Sequence, residues 1–213
     1  MTARRLEIGV AAALAAAFAI VAVLTTVPAV AAWDLRIDVA VNGLVSANSA
    51  MRTAAFAVTT AGSPEAVDVL TVVAVIAVWV RGDRAWRTRA ALYLAAARLV
   101  ELGVETALKH LADRHRPLLP HPLATAQDAS FPSGHTAGTA VLCVSLLVLA
   151  WPWLSRAGRA GWTGAAAAAI AAVGASRVLL GVHYVTDVLG GALLGTATAL
   201  ALSPLVTPLP RRR

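Results

Sequence analysis

Six apolar stretches, 8–30, 64–80, 90–108, 133–151, 161–180 and 184–205, constrain this chain more than any other feature. A helix needs roughly 20 apolar residues to cross a hydrocarbon core about 30 Å thick, and only 64–80 is short for that task. In lipid each backbone N–H and C=O must be satisfied within the structure, which leaves helices or closed barrels. The alternating pattern of a barrel is absent, so the sequence predicts an all-α integral membrane bundle of six transmembrane helices. Composition agrees: 59% of residues are hydrophobic, 14% are charged, and the mean hydropathy is +0.73. Such a bundle takes up nearly all of the 213 residues, so a single domain over 1–213 is expected.

The net charge of +7 points to topology and not to nucleic acid, because the arginines lie in short groups between apolar runs. Arg4 and Arg5 precede the first run, and Arg81, Arg84, Arg87 and Arg89 separate the second from the third. Arg156 and Arg159 separate the fourth from the fifth, and Arg211, Arg212 and Arg213 follow the sixth. The positive-inside rule makes all four groups cytoplasmic, and six spans then place both termini there as well. Trp79, Trp86, Trp151, Trp153 and Trp162 flank the same side and Trp33 the other, as interfacial anchors do. The first run also has features of a signal peptide, with small residues at 28–32 after the apolar core, but it is longer than such a core and is expected to be retained. Cys143, the only cysteine, lies in an apolar run, where packing is its expected role. Alanine abundance and a single lysine, Lys109, fit a GC-rich bacterial genome.

Two outer segments are long, 31–63 and 110–132, and long loops tend to carry function. The first mixes Trp33, Asp34, Arg36, Asp38 and Asn42 with Leu35, Ile37, Val39, Leu44 and Val45, so part of it is expected to lie as an interfacial helix. The third span carries Arg98, Glu101, Glu105 and, at its outer end, Lys109. Each central charge costs about 2.5 to 3.5 kcal/mol on insertion scales. Their spacing puts all four on one helical face within about 80°, which must point into the bundle. The expected arrangement is a ladder, Arg98 with Glu101 and Glu105 with Lys109, that positions helices without chemistry.

Three motifs converge on the outer face: Lys109-x6-Arg116-Pro117, Pro132-Ser133-Gly134-His135, and Ser176-Arg177-x5-His183-x3-Asp187. Together, in this order, they resemble the three-part signature of the type 2 phosphatidic acid phosphatase family, membrane lipid phosphatases related to vanadium haloperoxidases. The four-residue motif alone would occur by chance in about one chain per thousand of this length. The resemblance covers 109–187 directly; the residues before it match only in where helices fall.

The residue types carry their own chemical argument. A phosphoryl group needs cations around its equatorial oxygens, an in-line nucleophile and an acid for the leaving oxygen. Arg116 and Arg177 offer planar forks and Lys109 a point charge, while the N–H groups of Ser133 and Gly134 at a helix start, with the Ser133 hydroxyl, offer an anion site. His183 and Asp187 lie four apart, so the carboxylate can take one imidazole N–H and leave the other nitrogen to attack. His135 then serves as acid toward the lipid alkoxide and as base for water. The resemblance implies these same roles. Ser176 is expected to orient its neighbours, and Arg114 to reach either phosphate or solvent. His110, His115 and His121 match no fixed position and read as surface loop residues; a metal site with Asp113 or Asp128 lacks a recurring ligand spacing.

These readings predict a cofactor-free, metal-independent phosphatase acting on a lipid phosphate or diphosphate, such as phosphatidic acid, phosphatidylglycerol phosphate or a polyprenyl diphosphate. Its location would be the cytoplasmic membrane, multi-pass, with the site extracytoplasmic; its partners would be the lipid substrate and membrane lipids, with no nucleic acid. The alternatives are transfer of the phosphoryl or head group to an acceptor other than water, and a non-enzymatic transporter whose buried charges mark a pathway. A haloperoxidase is disfavoured because those relatives are soluble.

Overall fold

A computed structural model describes residues 3–80, 83–119 and 123–206. Arg81, His121 and Arg211, Arg212 and Arg213 lie outside the described residues, as does the side chain of Arg4. Every described element is helical: α1 (Ala3–Leu24), α2 (Pro28–Ser46), α3 (Ser49–Ala61), α4 (Pro64–Trp79), α5 (Arg84–Ala112), α6 (Gly134–Ala150), α7 (Arg156–Leu179) and α8 (Val185–Leu202), with short 3₁₀ turns after α6 and α8.

Local chemistry sets the helix starts. Asn48, Ser63, Asp83 and Ser155 cap α3, α4, α5 and α7 by accepting from Met51, Ala66, Trp86 and Gly158 backbone N–H groups at 2.9 to 3.2 Å. Pro28 and Pro64 stand in the first helical turn, where no N–H is required. The first apolar run therefore breaks at Thr25–Val27, earlier than the predicted 8–30 span.

The outer segment 31–63 is not a loop with one interfacial helix; it holds most of α2 and all of α3. Helix α2 is polar inward: Asp34, Asp38 and Asn42, spaced by four, are buried, whereas Leu35, Val39 and Leu44 are exposed. That inversion suits a helix whose outward surroundings are apolar.

Four helical segments, Arg5–Leu24, Gly134–Trp153, Arg156–Leu179 and Val185–Leu205, are long and apolar enough to cross a bilayer, and the pair α3 and α4, bent by 45°, could form a fifth span. Helix α5 falls outside that set because of its charges, and those charges are paired. Arg98 Nη1 meets Glu101 Oε2 at 2.5 Å and Lys109 Nζ meets Glu105 Oε1 at 2.9 Å, the ladder expected from the spacing. Asp68 of α4 adds a partner for Arg98 Nε at 2.6 Å.

Helix α8 packs along both α6 and α1. A Cβ on Gly195 would strike the Ala137 carbonyl, so α6 and α8 approach too closely for a larger residue. At one end of the bundle Ser203 Oγ donates to Glu7 Oε2 at 2.7 Å and Trp86 meets Trp153 edge-on at 5.4 Å. The arginine-bearing turns with Arg87 and Arg159 stack on Trp79 and Trp151 at this end. The three motifs gather at the other.

Candidate active site

Antiparallel packing brings the ends of α5 and α7 and the starts of α6 and α8 to one face, with α2 and α3 alongside. The turn between α7 and α8 is tight. Gly181 adopts a φ of 71°, which a side chain would strain, and Val182 N–H donates to the Arg177 carbonyl at 3.1 Å. This turn sets Arg177 and His183 beside each other.

His183 is 2% exposed. Its Nδ1 lies 3.5 Å from Asp187 Oδ2, longer than a good hydrogen bond, and that oxygen already accepts the Tyr184 N–H at 2.9 Å. Its Nε2 lies 3.1 Å from Arg116 Nη1. An arginine N–H can only donate, so Nε2 is the acceptor and the proton sits on Nδ1, toward Asp187. The tautomer is thus the one with its lone pair on Nε2, where it accepts from Arg116. Burial pushes the imidazole pKa down to about 4, against the opposing pull of Asp187 and with the help of the Arg116 and Arg177 charges.

The three cations differ in their partners. Lys109 is shared by Glu105 and Asp128. Arg116 Nη2 holds Asp128 Oδ1 at 2.6 Å, its Nε donates to the Asp128 carbonyl at 2.9 Å, and Nη1 also donates to the Val182 carbonyl at 2.5 Å. Asp128 therefore bridges the two cations of the first motif, and they hold its carboxyl well below the usual carboxylate range although partial burial opposes them. Arg177 is different. It is buried, its Nη1 donates to Thr59 Oγ1 of α3 at 2.6 Å, its Nε has no partner, and among the described residues no carboxylate lies within 4.0 Å of it. A buried cation without a counter-ion is costly unless a ligand supplies the charge.

His135 opens α6 and is half-buried. Ser133 caps that helix, but its N–H donates to the Asp187 carbonyl at 3.0 Å. The expected anion site of two backbone donors is corrected on this point: the Ser133 N–H is committed, which leaves the Gly134 N–H and the Ser133 hydroxyl. That hydroxyl accepts from Thr136 Oγ1 at 3.1 Å, and the Gly134 α-carbon lies against the Glu105 carboxylate. Ser176 Oγ donates to the Val173 carbonyl at 2.6 Å, a bond within its own helix. Arg114 lies between Asp34 and Asp187, with its side chain 12% exposed. His110 and His115 are exposed, and among the described residues no group of three or more metal-ligating side chains forms.

Sequence reasoning overlooked Asp128 as a partner of the cations, Thr59 as the tether of Arg177, and Asp34. Asp128 carried a signal, since it sits in the same outer segment as Arg116; the contacts of Thr59 and Asp34 join distant parts of the chain and carried none.

A helical bundle with apolar helices long enough to span a bilayer, and with cations gathered around a buried histidine at one end, is the architecture of an integral membrane protein. The chain belongs to the PAP2 superfamily, whose family model matches residues 89–210. It is 37% identical over 140 residues to "Putative undecaprenyl-diphosphatase YbjG" of Escherichia coli (strain K12), covering 63% of this chain and 66% of that protein. It is 43% identical over 91 residues to phosphatidylglycerophosphatase B of Bacillus subtilis (strain 168), covering 41% of this chain and 44% of that protein. These matches thus span just under two thirds and under half of the relatives' lengths. The crystal structure of a transmembrane PAP2-type phosphatidylglycerolphosphate phosphatase from Bacillus subtilis superposes with a TM-score of 0.79 at 27% identity, over 91% of this chain and 94% of that one.

Proposed function

We propose that this protein is a membrane lipid phosphatase that works through a phosphohistidine on His183. The observation that carries this reading is the buried Arg177 guanidinium without a counter-ion, in the last turn of α7 just before the turn that holds His183. A phosphoryl group between Arg177, Arg116 and Lys109 supplies the missing charge and lies before Nε2.

In the first step His183 Nε2 attacks phosphorus, the P–O bond to the lipid breaks, and His135 gives its proton to the leaving oxygen. Asp187 stabilises the imidazole proton on Nδ1 as positive charge develops. In the second step His135 takes a proton from water, the water oxygen attacks phosphorus, and the P–N bond breaks to release phosphate and restore His183. Lys and Arg neutralise the phosphoryl charge throughout, so no divalent metal is required. The relatives named for an undecaprenyl diphosphate and for phosphatidylglycerophosphate support a lipid phosphate or diphosphate as substrate. We place six spans in the membrane, α1, α4, α5, α6, α7 and α8, with α2 and α3 on the outer side, both termini cytoplasmic and the site extracytoplasmic, on the strength of the arginine-bearing turns at the opposite end.

The test is phosphate release by purified protein in detergent from phosphatidic acid, phosphatidylglycerol phosphate and a polyprenyl diphosphate, with a chelator present throughout. Release from at least one is expected; release abolished by chelator and restored by Mg²⁺ would refute metal independence. Because His183 must be neutral to attack and burial lowers its pKa to about 4, activity is lost as pH falls through about 4. The limb that reads this is the one left after the substrate's own second ionisation, at about pH 6, is divided out, and a protein limb at pH 6 or above contradicts it.

Asp128 competes with substrate for Lys109 and Arg116. Asp128→Asn is expected to lower KM about 3- to 10-fold with kcat little changed, since the carboxylate acts on binding. A raised KM would show that Asp128 instead holds the two cations in place for phosphate.

A further inference from the structure

The catalytic reading uses one oxygen of Asp187 and leaves the other unexplained. Oδ2 faces His183 Nδ1 and takes the Tyr184 N–H; Oδ1 is bound by Arg114 Nη1. The same Nη1 donates to Thr186 Oγ1 at 2.8 Å, and Nη2 donates to Asp34 Oδ2 at 2.9 Å. Asp34 in turn accepts the Thr186 N–H at 3.2 Å and the Thr186 hydroxyl at 2.5 Å. The Arg114 guanidinium lies over the Tyr184 ring at 4.2 Å. Both carboxylates are fully buried and the arginine side chain is 12% exposed.

We propose that Asp34 and Arg114 are positioning residues for the attacking histidine, a buried strut from α2 that fixes the Asp187 carboxylate. This proposal rests on the phosphohistidine reading and deepens it.

Three features support a positioning role over a substrate contact. Both terminal nitrogens of Arg114 meet carboxylates, Nη1 spends both its N–H groups on Asp187 and Thr186, and the guanidinium lies over the Tyr184 ring, so the fork is turned to the two carboxylates. Arg116, two residues on, grips the opposite end of the dyad at His183 Nε2. The two arginines thus hold the imidazole–carboxylate pair from its two ends. Finally, Nδ1 and Oδ2 are 3.5 Å apart, so the dyad is not held by its own hydrogen bond. A carboxylate anchored on its other oxygen stays ionised and in plane as charge develops on the ring. Asp38, one turn along α2, does not compete for Arg114: burial, then the Asp34 and Asp187 charges, raise its carboxyl to about 8, which keeps it neutral at pH 7.

Asp34 shares Arg114 with Asp187, and its other bonds are to Thr186, whose N–H an Asn at position 34 can still meet; that makes the idea testable by a double-mutant cycle. Arg114→Ala should lower kcat about 10- to 100-fold, the range for loss of a group that orients a reacting ligand, with KM within about twofold. Asp34→Asn, nearly isosteric, should lower kcat about 10-fold. The double variant should be no slower than Arg114→Ala alone. Arg114→Lys should recover part of the loss, because it restores charge without the planar fork. All rates are taken per active site, counted from the stoichiometry of bound orthovanadate, a phosphate analogue, so that misfolded protein does not register as a slow enzyme.

A rise in KM with kcat intact would make Arg114 a phosphate ligand and overturn the proposal, as would unchanged kcat per active site or additive losses in the double variant. If wild-type protein releases phosphate and His183→Ala does not, the parent reading stands and these outcomes judge the strut alone. If wild type releases none from any lipid, both fall.

Discussion

Alanine in place of His183 is expected to slow phosphate release by about 10⁴- to 10⁶-fold, the loss typical of removing a covalent nucleophile from a site whose other members remain. Lys109, Arg116 and Arg177 stay in place in that variant, so lipid phosphate should still bind with a KM or Kd near the wild-type value. The prediction is severe because nothing nearby can substitute. Among the described residues His135 is the only other histidine at the site, and it is set at the start of a different helix. A loss smaller than about 100-fold would mean direct attack by water, with the cations and His135 supplying the catalysis.

Glutamine in place of His135 should cost less and reveal more. General acid–base catalysis is worth about 10²- to 10⁴-fold, and His135 is assigned to both steps. With a lipid alkoxide as leaving group both steps slow. With an aryl phosphate, whose leaving oxygen needs little protonation, the first step recovers while attack by water stays slow, so phosphoenzyme accumulates as a burst equal to the number of sites. A variant slow with both substrates and without a burst would restrict His135 to binding.

The parts of the fold that sequence conveyed were those set by solvent and by local spacing. Apolar runs gave the helices, and residues three and four apart in α5 gave the ladder of Arg98 with Glu101 and Lys109 with Glu105. The three motifs named the residues around His183. What was missed depended on distant contacts or on capping. Thr25–Val27 ends α1 because Pro28 starts another helix. Asn48 caps α3 within a segment that composition marked only as mixed. Asp34, Asp38 and Asn42 did carry a readable signal, a spacing of four that puts them on one face, yet the inward direction of Asp34 follows from Arg114 and Thr186, far along the chain. The Ser133 N–H was assigned to phosphate because helix starts bind anions; its capture by the Asp187 carbonyl is a tertiary contact no motif encodes. Arg114, left between two roles, has a third.

The most direct measurement is rapid quenching during turnover of a lipid substrate labelled on its phosphate, followed by peptide mapping of the protein. The account predicts an acid-labile, base-stable label on the peptide containing His183, absent in His183→Ala. Turnover with no covalent label at any quench time, or a label on another residue that survives in His183→Ala, would contradict it.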